Sequence, residues 1–238
     1  MRVAVISDVH GNLLALEAVL ADIALHAADA VVSLGDHLSG PFDPRGTADR
    51  FLDLDIPCVR GNHDRFIVEG RENDWAVDVV ARAAIDARHR AWLSGMPATQ
   101  VFASDVFMCH GTPADDNTLW LDSIGRDGVI NLLPREFVEA EALGFDFPVL
   151  LCGHSHVPRT VRLMDGRLVV NPGSAGMPIA LGTPDARYAL LDRRDGKWSV
   201  SLRAIPYEHD AAAAQARAAG FANWAEAVTT GWSRPGEL

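Results

Sequence analysis

Five short apolar runs in this chain each stop abruptly at aspartate, asparagine or histidine. Val3-Ala4-Val5-Ile6 meets Ser7-Asp8-Val9-His10, Val31-Val32-Ser33-Leu34 meets Gly35-Asp36, and Pro57-Cys58-Val59-Arg60 meets Gly61-Asn62-His63-Asp64. Val106-Phe107-Met108-Cys109 meets His110-Gly111, and Val149-Leu150-Leu151-Cys152 meets Gly153-His154-Ser155-His156. Apolar runs this short read as strands buried in an α/β sheet. Such strands deliver whatever follows them to one crevice outside their carboxyl ends. Carboxylates, an amide and imidazoles from distant parts of the chain therefore converge, and these are oxygen and nitrogen ligands of a divalent metal site.

The intervening segments fill in the fold. Asn12 is placed to cap a helix whose Leu16, Val19, Leu20 and Ile23 share one face. Gly40-Pro41-Phe42-Asp43-Pro44 breaks the chain before a second helix, over about residues 45–54. Strand, helix, strand, helix, strand predicts parallel pairing with right-handed crossovers. The Ala-, Val- and Arg-rich stretch from Trp75 to Leu93 reads as a helix ended by Gly95-Met96-Pro97. Hairpins then follow: 100–103 with 106–109, 160–163 with 168–170, and 188–191 with 198–202, each flanking a turn. A helix near 135–143 precedes the Val149 run, and the Ala-rich stretch over 211–228 is helical. The predicted fold class is α/β, with two mixed β-sheets packed as a sandwich flanked by helices. Residues 1–238 make a single domain, with 197–238 a C-terminal strand and helical tail packed on it.

At 238 residues one sizeable core is the default. A net charge of −11 disfavours stable nucleic-acid binding, which needs clustered Lys and Arg. A small phosphate ester can still bind such a body where metal ions invert the local potential. Cys58, Cys109 and Cys152 lack paired motif spacing and read as small buried hydrophobes. No apolar run approaches the ~18 residues of a membrane span. Met1-Arg2 leads straight into the first strand without a signal-peptide core, so the expected location is cytoplasmic. A homo-oligomer is left open.

Asp8 and His10 stand two apart at a strand end, where a tight turn lets both face one ion. Asp36 suits a bridging carboxylate, Asn62 offers a carbonyl oxygen, and His110, His154 and His156 offer ring nitrogens. These seven ligand-type residues suffice for two ions with positions left open for water and substrate. Any one of them alone is more often a turn former or helix cap; five pieces in order are not.

The ordered pattern Asp-x-His, Gly-Asp, Gly-Asn-His-Asp, His-Gly and Gly-His-Ser-His resembles the calcineurin-like metallophosphoesterases, over residues 3 to about 175. The resemblance implies a double β-sandwich holding two metals about 3.5–4 Å apart. By that resemblance Asp8, His10, Asp36 and His156 hold one metal, and Asp36, Asn62, His110 and His154 the other. Manganese is the first expectation, with Fe, Zn²⁺, Ni²⁺ and Co²⁺ also accepting such ligands. The implied reaction is in-line attack on phosphorus by a metal-bridged hydroxide, with His63 off the metals as the acid that protonates the leaving group. Asp64 reads as an orienting or capping group, and a catalytic role for His37 is disfavoured.

Arg65 either reaches a phosphate oxygen or forms a surface salt bridge. Asn171, in Asn171-Pro172-Gly173-Ser174, resembles a pocket-lining loop of the bacterial and archaeal phosphodiesterase-like branch, although an ordinary Pro-Gly turn has the same signature. Trp75 and Trp120 are candidate stacking surfaces on the 75–93 helix and the 112–128 loop; His26, His89 and His209 look like surface positions. Protein Ser/Thr phosphatases and symmetrical dinucleoside tetraphosphatases resemble Gly-Asp-x-Val-Asp-Arg-Gly at the second motif. Here Gly35-Asp36-His37-Leu38-Ser39-Gly40-Pro41 lacks the second Asp, which would orient the catalytic histidine, and the Arg. The expected activity is thus a metal-dependent phosphodiesterase on a small or nucleotide-like ester. The alternatives are a phosphomonoesterase, a dinucleoside polyphosphate hydrolase, or a non-catalytic scaffold such as the retromer-type proteins that resemble this fold. A scaffold is disfavoured because His63 and all seven ligands are present.

Overall fold

Alternation along the strands sets the layers of this computed structural model, which describes residues 1–70, 74–125, 129–177, 179 and 182–232. In β1 (Arg2–Ile6), Val3 and Val5 turn to one face while Ala4 and Ile6 turn to the other. The second face packs on α1 (Leu13–Leu25) and α2 (Pro44–Leu54) through Leu16, Val19 and Phe51. β1 pairs in parallel with β2 (Ala30–Ser33). Three further helices follow, α3 (Asn62–Glu69), α4 (Ala76–Ala84) and α5 (Ala87–Gly95).

The second sheet starts with β3 (Gln100–Phe102) and β4 (Val106–Met108), an antiparallel pair. A two-stranded ribbon, β5 (Asp122–Ile124) with β6 (Ile130–Leu132), and α6 (Arg135–Glu141) lead to β7 (Val149–Leu151). Then come β8 (Arg159–Arg162) and β9 (Leu168–Asn171). The chain returns to the first sheet with β10 (Ala186–Arg194) and β11 (Lys197–Ile205), and closes with α7 (His209–Ala218) and α8 (Ala222–Thr230). The sheet orders are β11-β10-β1-β2 and β3-β4-β7-β9-β8. β4, β7 and β9 run parallel, with antiparallel β3 and β8 at the edges.

Val3, Val5 and Val32 of one sheet meet Val106, Met108, Val149 and Leu151 of the other, so the sandwich interior is nearly all valine, leucine and methionine. Phe107 and Leu150 point outward and are covered by Val138 of α6 and by Trp120. Two mixed sheets flanked by helices therefore form as the sequence predicts. The carboxyl ends of β1, β2, β4 and β7 lie on one side, which is where the ligand-type residues emerge.

Several local expectations change. The third apolar run forms no strand: Cys58 makes an isolated parallel bridge with Ser33, and Pro57 has no N–H to extend a ladder. The 75–93 stretch is two helices, because the Asp86 carboxylate accepts from Arg88 N and His89 N and starts α5. The 112–128 loop contains β5, and its end at 126–128 lies outside the described residues. Trp120 is core rather than wall, its Nε1 donating to Val138 O at 3.0 Å. His89 is fully buried against Asp49 and Asp86 rather than on the surface. The alanine-rich tail is two helices, and its last six residues, 233–238, are outside the described part. All three cysteines are free and buried, and burial pushes the Cys109 and Cys152 thiols up. No helix among the described residues is long and apolar enough to cross a membrane.

Candidate metal centre

Five of the ligand-type residues occupy left-handed backbone: Asp8 (φ 55°), His10 (50°), Asp36 (54°), His154 (65°) and His156 (59°). That conformation costs roughly 1–3 kcal/mol at a non-glycine residue and persists only where the surroundings over-determine it. Backbone bonds between strand ends supply that constraint. Asp8 N donates to Gly35 O at 2.9 Å, His10 N to Asp36 O at 3.0 Å, and Gly153 N to His110 O at 2.7 Å. The strand ends approach so closely that two motif glycines have no room for a side chain. A Cβ on Gly61 would lie 2.2 Å from Asp36 Oδ1, and one on Gly153 would lie 2.1 Å from Ser7 Oγ.

The side chains gather into two clusters, Asp8 with His10 and His156, and Asp36 with His110 and His154; within each cluster the ligand atoms lie within 4.8 Å of one another. Asn62, the first residue of α3, joins the second cluster through Oδ1, 3.0 Å from His110 Nε2. Asp36 Oδ2 is 3.2 Å from His110 Nε2 and 4.0 Å from His10 Nε2, so it stands between the clusters. The Nδ1 atoms of His10, His110 and His156 face the carbonyls of Ser39, Leu34 and Met177 at 2.6, 2.7 and 2.7 Å. A carbonyl only accepts, so each Nδ1 carries a proton and each Nε2 is turned inward. At the centre, Asp8 Oδ1 and Asp36 Oδ2 are buried and, among the described residues, form no hydrogen bond of good geometry, meeting only imidazole nitrogens: His156 Nε2 at 3.3 Å and His110 Nε2 at 3.2 Å. Buried carboxylate oxygens left bare amid inward-facing imidazoles fit divalent cations.

Charge balance supports the same reading. Burial works against the Asp8 carboxylate, but His156 and His110 outweigh it and lower its pKa to about 2. Burial, with His156 beside one ring and His110 beside the other, lowers His10 and His154 to about 4, keeping both neutral and able to ligate. His110 is the exception. Burial opposes its charge, yet Asp36 raises its pKa to about 10, a proton standing where a cation would otherwise balance the carboxylate.

His63 takes part in neither cluster. Its backbone N donates to Asp36 Oδ1 at 2.9 Å, and its Nδ1 sits 2.8 Å from Asp78 Oδ1. Ser39 Oγ lies 3.1 Å from the same Nδ1 and donates to Asp78 Oδ1 at 2.6 Å. Burial disfavours a charged His63, but the Asp36 and Asp78 carboxylates outweigh it and raise its pKa. Asp78, fully buried on α4, is a site residue that the sequence motifs do not include. Its signal was a lone carboxylate beside Val77, one turn before Ala81, on the apolar face of a helix. Asp64 proves to be a brace. It accepts from the backbone N of Asp36, Gly61 and His37, and pairs with the buried His37 ring at 2.8 Å.

Arg65 and Asn171 do not join the clusters. Arg65 forms a two-pronged pair with Asp116 (2.8 and 2.6 Å), beside a separate cavity bordered by Arg60, Thr112 and His110. Asn171 is buried, donating to Gly153 O at 2.6 Å and Ser155 Oγ at 3.1 Å, so it fixes the loop carrying His154 and His156. Above the clusters opens a cleft of about 200 Å³, bounded by His10, Asp36, His63, His154 and His156 and by Trp75, Val77, Ile124, Met177 and Trp224.

Comparison with known proteins follows the same outline. Residues 1–196 match the family model of the calcineurin-like phosphoesterase superfamily domain. An uncharacterized protein of Methanocaldococcus jannaschii is 27% identical over 224 residues, covering 83% of this chain and 85% of its own. The crystal structure of a metallophosphoesterase from Sphaerobacter thermophilus superposes with a TM-score of 0.80 at 27% identity, over 98% of this chain and 100% of that one. A hypothetical protein from Pyrococcus horikoshii OT3 shares the fold, with a TM-score of 0.77 at 18% identity over 98% and 99% of the two chains.

Proposed function

This chain belongs to the calcineurin-like phosphoesterase superfamily and is a phosphoester hydrolase, and we propose that it is a dinuclear phosphodiesterase acting on a small or nucleotide-like ester. The observation that carries the reading is the pair of bare, buried oxygens, Asp8 Oδ1 and Asp36 Oδ2, set among inward-facing ligand atoms. Asp8, His10, Asp36 and His156 would hold one divalent cation, and Asp36, Asn62, His110 and His154 the other. Divalent cations held there would supply polarisation of the phosphoryl oxygens and a more acidic attacking water.

The chain's own residues do the rest. His63, standing off both clusters, faces the cleft with a raised pKa and gives its proton to the departing oxygen. Asp78 fixes the ring by holding Nδ1, which leaves Nε2 as the atom that delivers the proton. Asp64 and the backbone bonds between strand ends keep Asp36 in place while charge shifts around it.

The test is metal analysis of protein purified with Mn²⁺, joined to a hydrolysis panel of aryl mono- and diesters, cyclic nucleotides and dinucleoside polyphosphates. Two metals per chain and faster turnover of the aryl diester than the monoester are expected. Asp36→Asn should lose metal and activity together; a variant with two metals and full turnover refutes the bridging assignment. A monoester preference refutes the diesterase reading.

A further inference from the structure

We propose that the cleft carries a subsite for a planar aromatic leaving group, with Trp75 as its platform; the inference rests on the hydrolytic reading above and names the substrate class it serves. A phosphoester bond breaks between phosphorus and the leaving oxygen, a new bond forms to the oxygen of a hydroxide left when water releases a proton to solvent, and the His63 proton goes to the departing oxygen. The leaving group must therefore lie beside His63. The Trp75 ring is that neighbour, with its centroid 5.4 Å from the His63 ring and edge-on at 86°. Trp75 is nevertheless 46% exposed, and Ile124 on the same cleft is 39% exposed. Large apolar side chains left open at the mouth of a polar centre mark a surface kept for an apolar ligand.

The placement is fixed rather than incidental. Trp75 immediately precedes α4, and its carbonyl accepts from Asp78 N at 3.0 Å. One helix start thus sets both the carboxylate that orients His63 and the indole beside it. Val77 and Met177 extend the apolar wall, and Trp224 reaches it from α8 with its ring 5.9 Å from that of His10. Among the described residues no Lys or Arg lines this cleft, and Arg65 is tied to Asp116 beside the other cavity. The cleft thus suits a single phosphodiester with an aromatic alcohol better than a polyphosphate.

The experiment compares methyl 1-naphthyl phosphate with methyl hexafluoroisopropyl phosphate, whose leaving alcohols have matched acidity, on the Mn²⁺-loaded protein. Wild type should favour the naphthyl ester in kcat/KM. Trp75→Ala should cut that preference about tenfold, in line with the worth of an aromatic contact, and Trp75→Phe should restore most of it. A preference unchanged in Trp75→Ala overturns the subsite. If wild type turns over neither ester or any other in the panel, the hydrolytic reading fails. The subsite is then decided by calorimetry with 1-naphthyl phosphate: affinity about tenfold weaker in Trp75→Ala upholds it, and equal affinity overturns it.

Discussion

Two histidine–carboxylate pairs flank the candidate metal centre, and they do different work because of what surrounds them. His37 and Asp64 are both fully buried, with the His37 ring 4.6 Å from Phe51 and 5.2 Å from Trp92, and no route to a substrate. His63 and Asp78 make a pair of the same 2.8 Å length, but His63 borders the cleft. The second pair is therefore the one that can move a proton. His63→Ala should keep its metals and lose about 10²–10⁴ in kcat, with the smallest loss on esters whose leaving groups are acidic. Asp78→Asn leaves the ring in place but lets its tautomer reverse, so a loss of about 10- to 100-fold is expected, with the same leaving-group trend. Steady-state kinetics across a series of aryl diesters checks both. A loss independent of the leaving group in either variant removes the acid role, while loss of metal from Asp78→Asn would make that residue merely structural.

At the level of elements, the proposed ligands stand on strained turns rather than on the strands themselves. Asp8, His10, Asp36, His154 and His156 are all left-handed, a conformation that favours glycine, yet in the proposed site each carries a donor side chain. Replacing one by glycine or by alanine removes the donor in both cases and the strain in only one. In chelator, His156→Gly should be more stable than His156→Ala by up to about 1.5 kcal/mol. That figure is the left-handed penalty of roughly 1–2 kcal/mol less the extra chain entropy of glycine, about 0.5–1 kcal/mol. Equal urea midpoints for the two would mean that the turn's strain is no larger than the entropy cost of the glycine. These turns were the legible part of the sequence, because a strand that ends in a ligand type is a pattern of composition and order. Asp78 and Trp224 were not legible as site residues. They sit on helices whose periodicity reports only which face is buried, and it is packing of α4 and α8 against the strand ends that brings them to His63 and His10. The division of the 75–93 stretch was hidden for a related reason, since the Asp86 cap interrupts a run whose composition is helical throughout.

Across the whole molecule, the only two tyrosines tie the first sheet and the C-terminal tail to α1. Tyr188 of β10 donates its hydroxyl to Asp22 of α1, which also pairs with Arg203 of β11 at 3.0 Å. Tyr207, between β11 and α7, accepts from Asn12 Nδ2 at 3.2 Å at the start of α1. Burial raises both phenols, with Asp22 adding to the effect at Tyr188, and brings Tyr207 to about 12. In the unfolded chain a tyrosine ionises near 10. A raised folded pKa means that the native state keeps a proton the unfolded chain gives up. The stabilisation is therefore complete below about pH 10 and is lost as pH rises through the folded value. For Tyr207 the loss between pH 10 and 11 amounts to about 1 kcal/mol. Urea midpoints at pH 9 and 11 should fall steeply for wild type and less steeply for the Tyr188→Phe/Tyr207→Phe double variant, although that variant starts lower at pH 9 for want of the Asp22 and Asn12 bonds. Phenolate absorbance should rise only with unfolding; absorbance that titrates near pH 10 in a chain still folded would show that neither hydroxyl is held by the contacts that join the tail to the sheet.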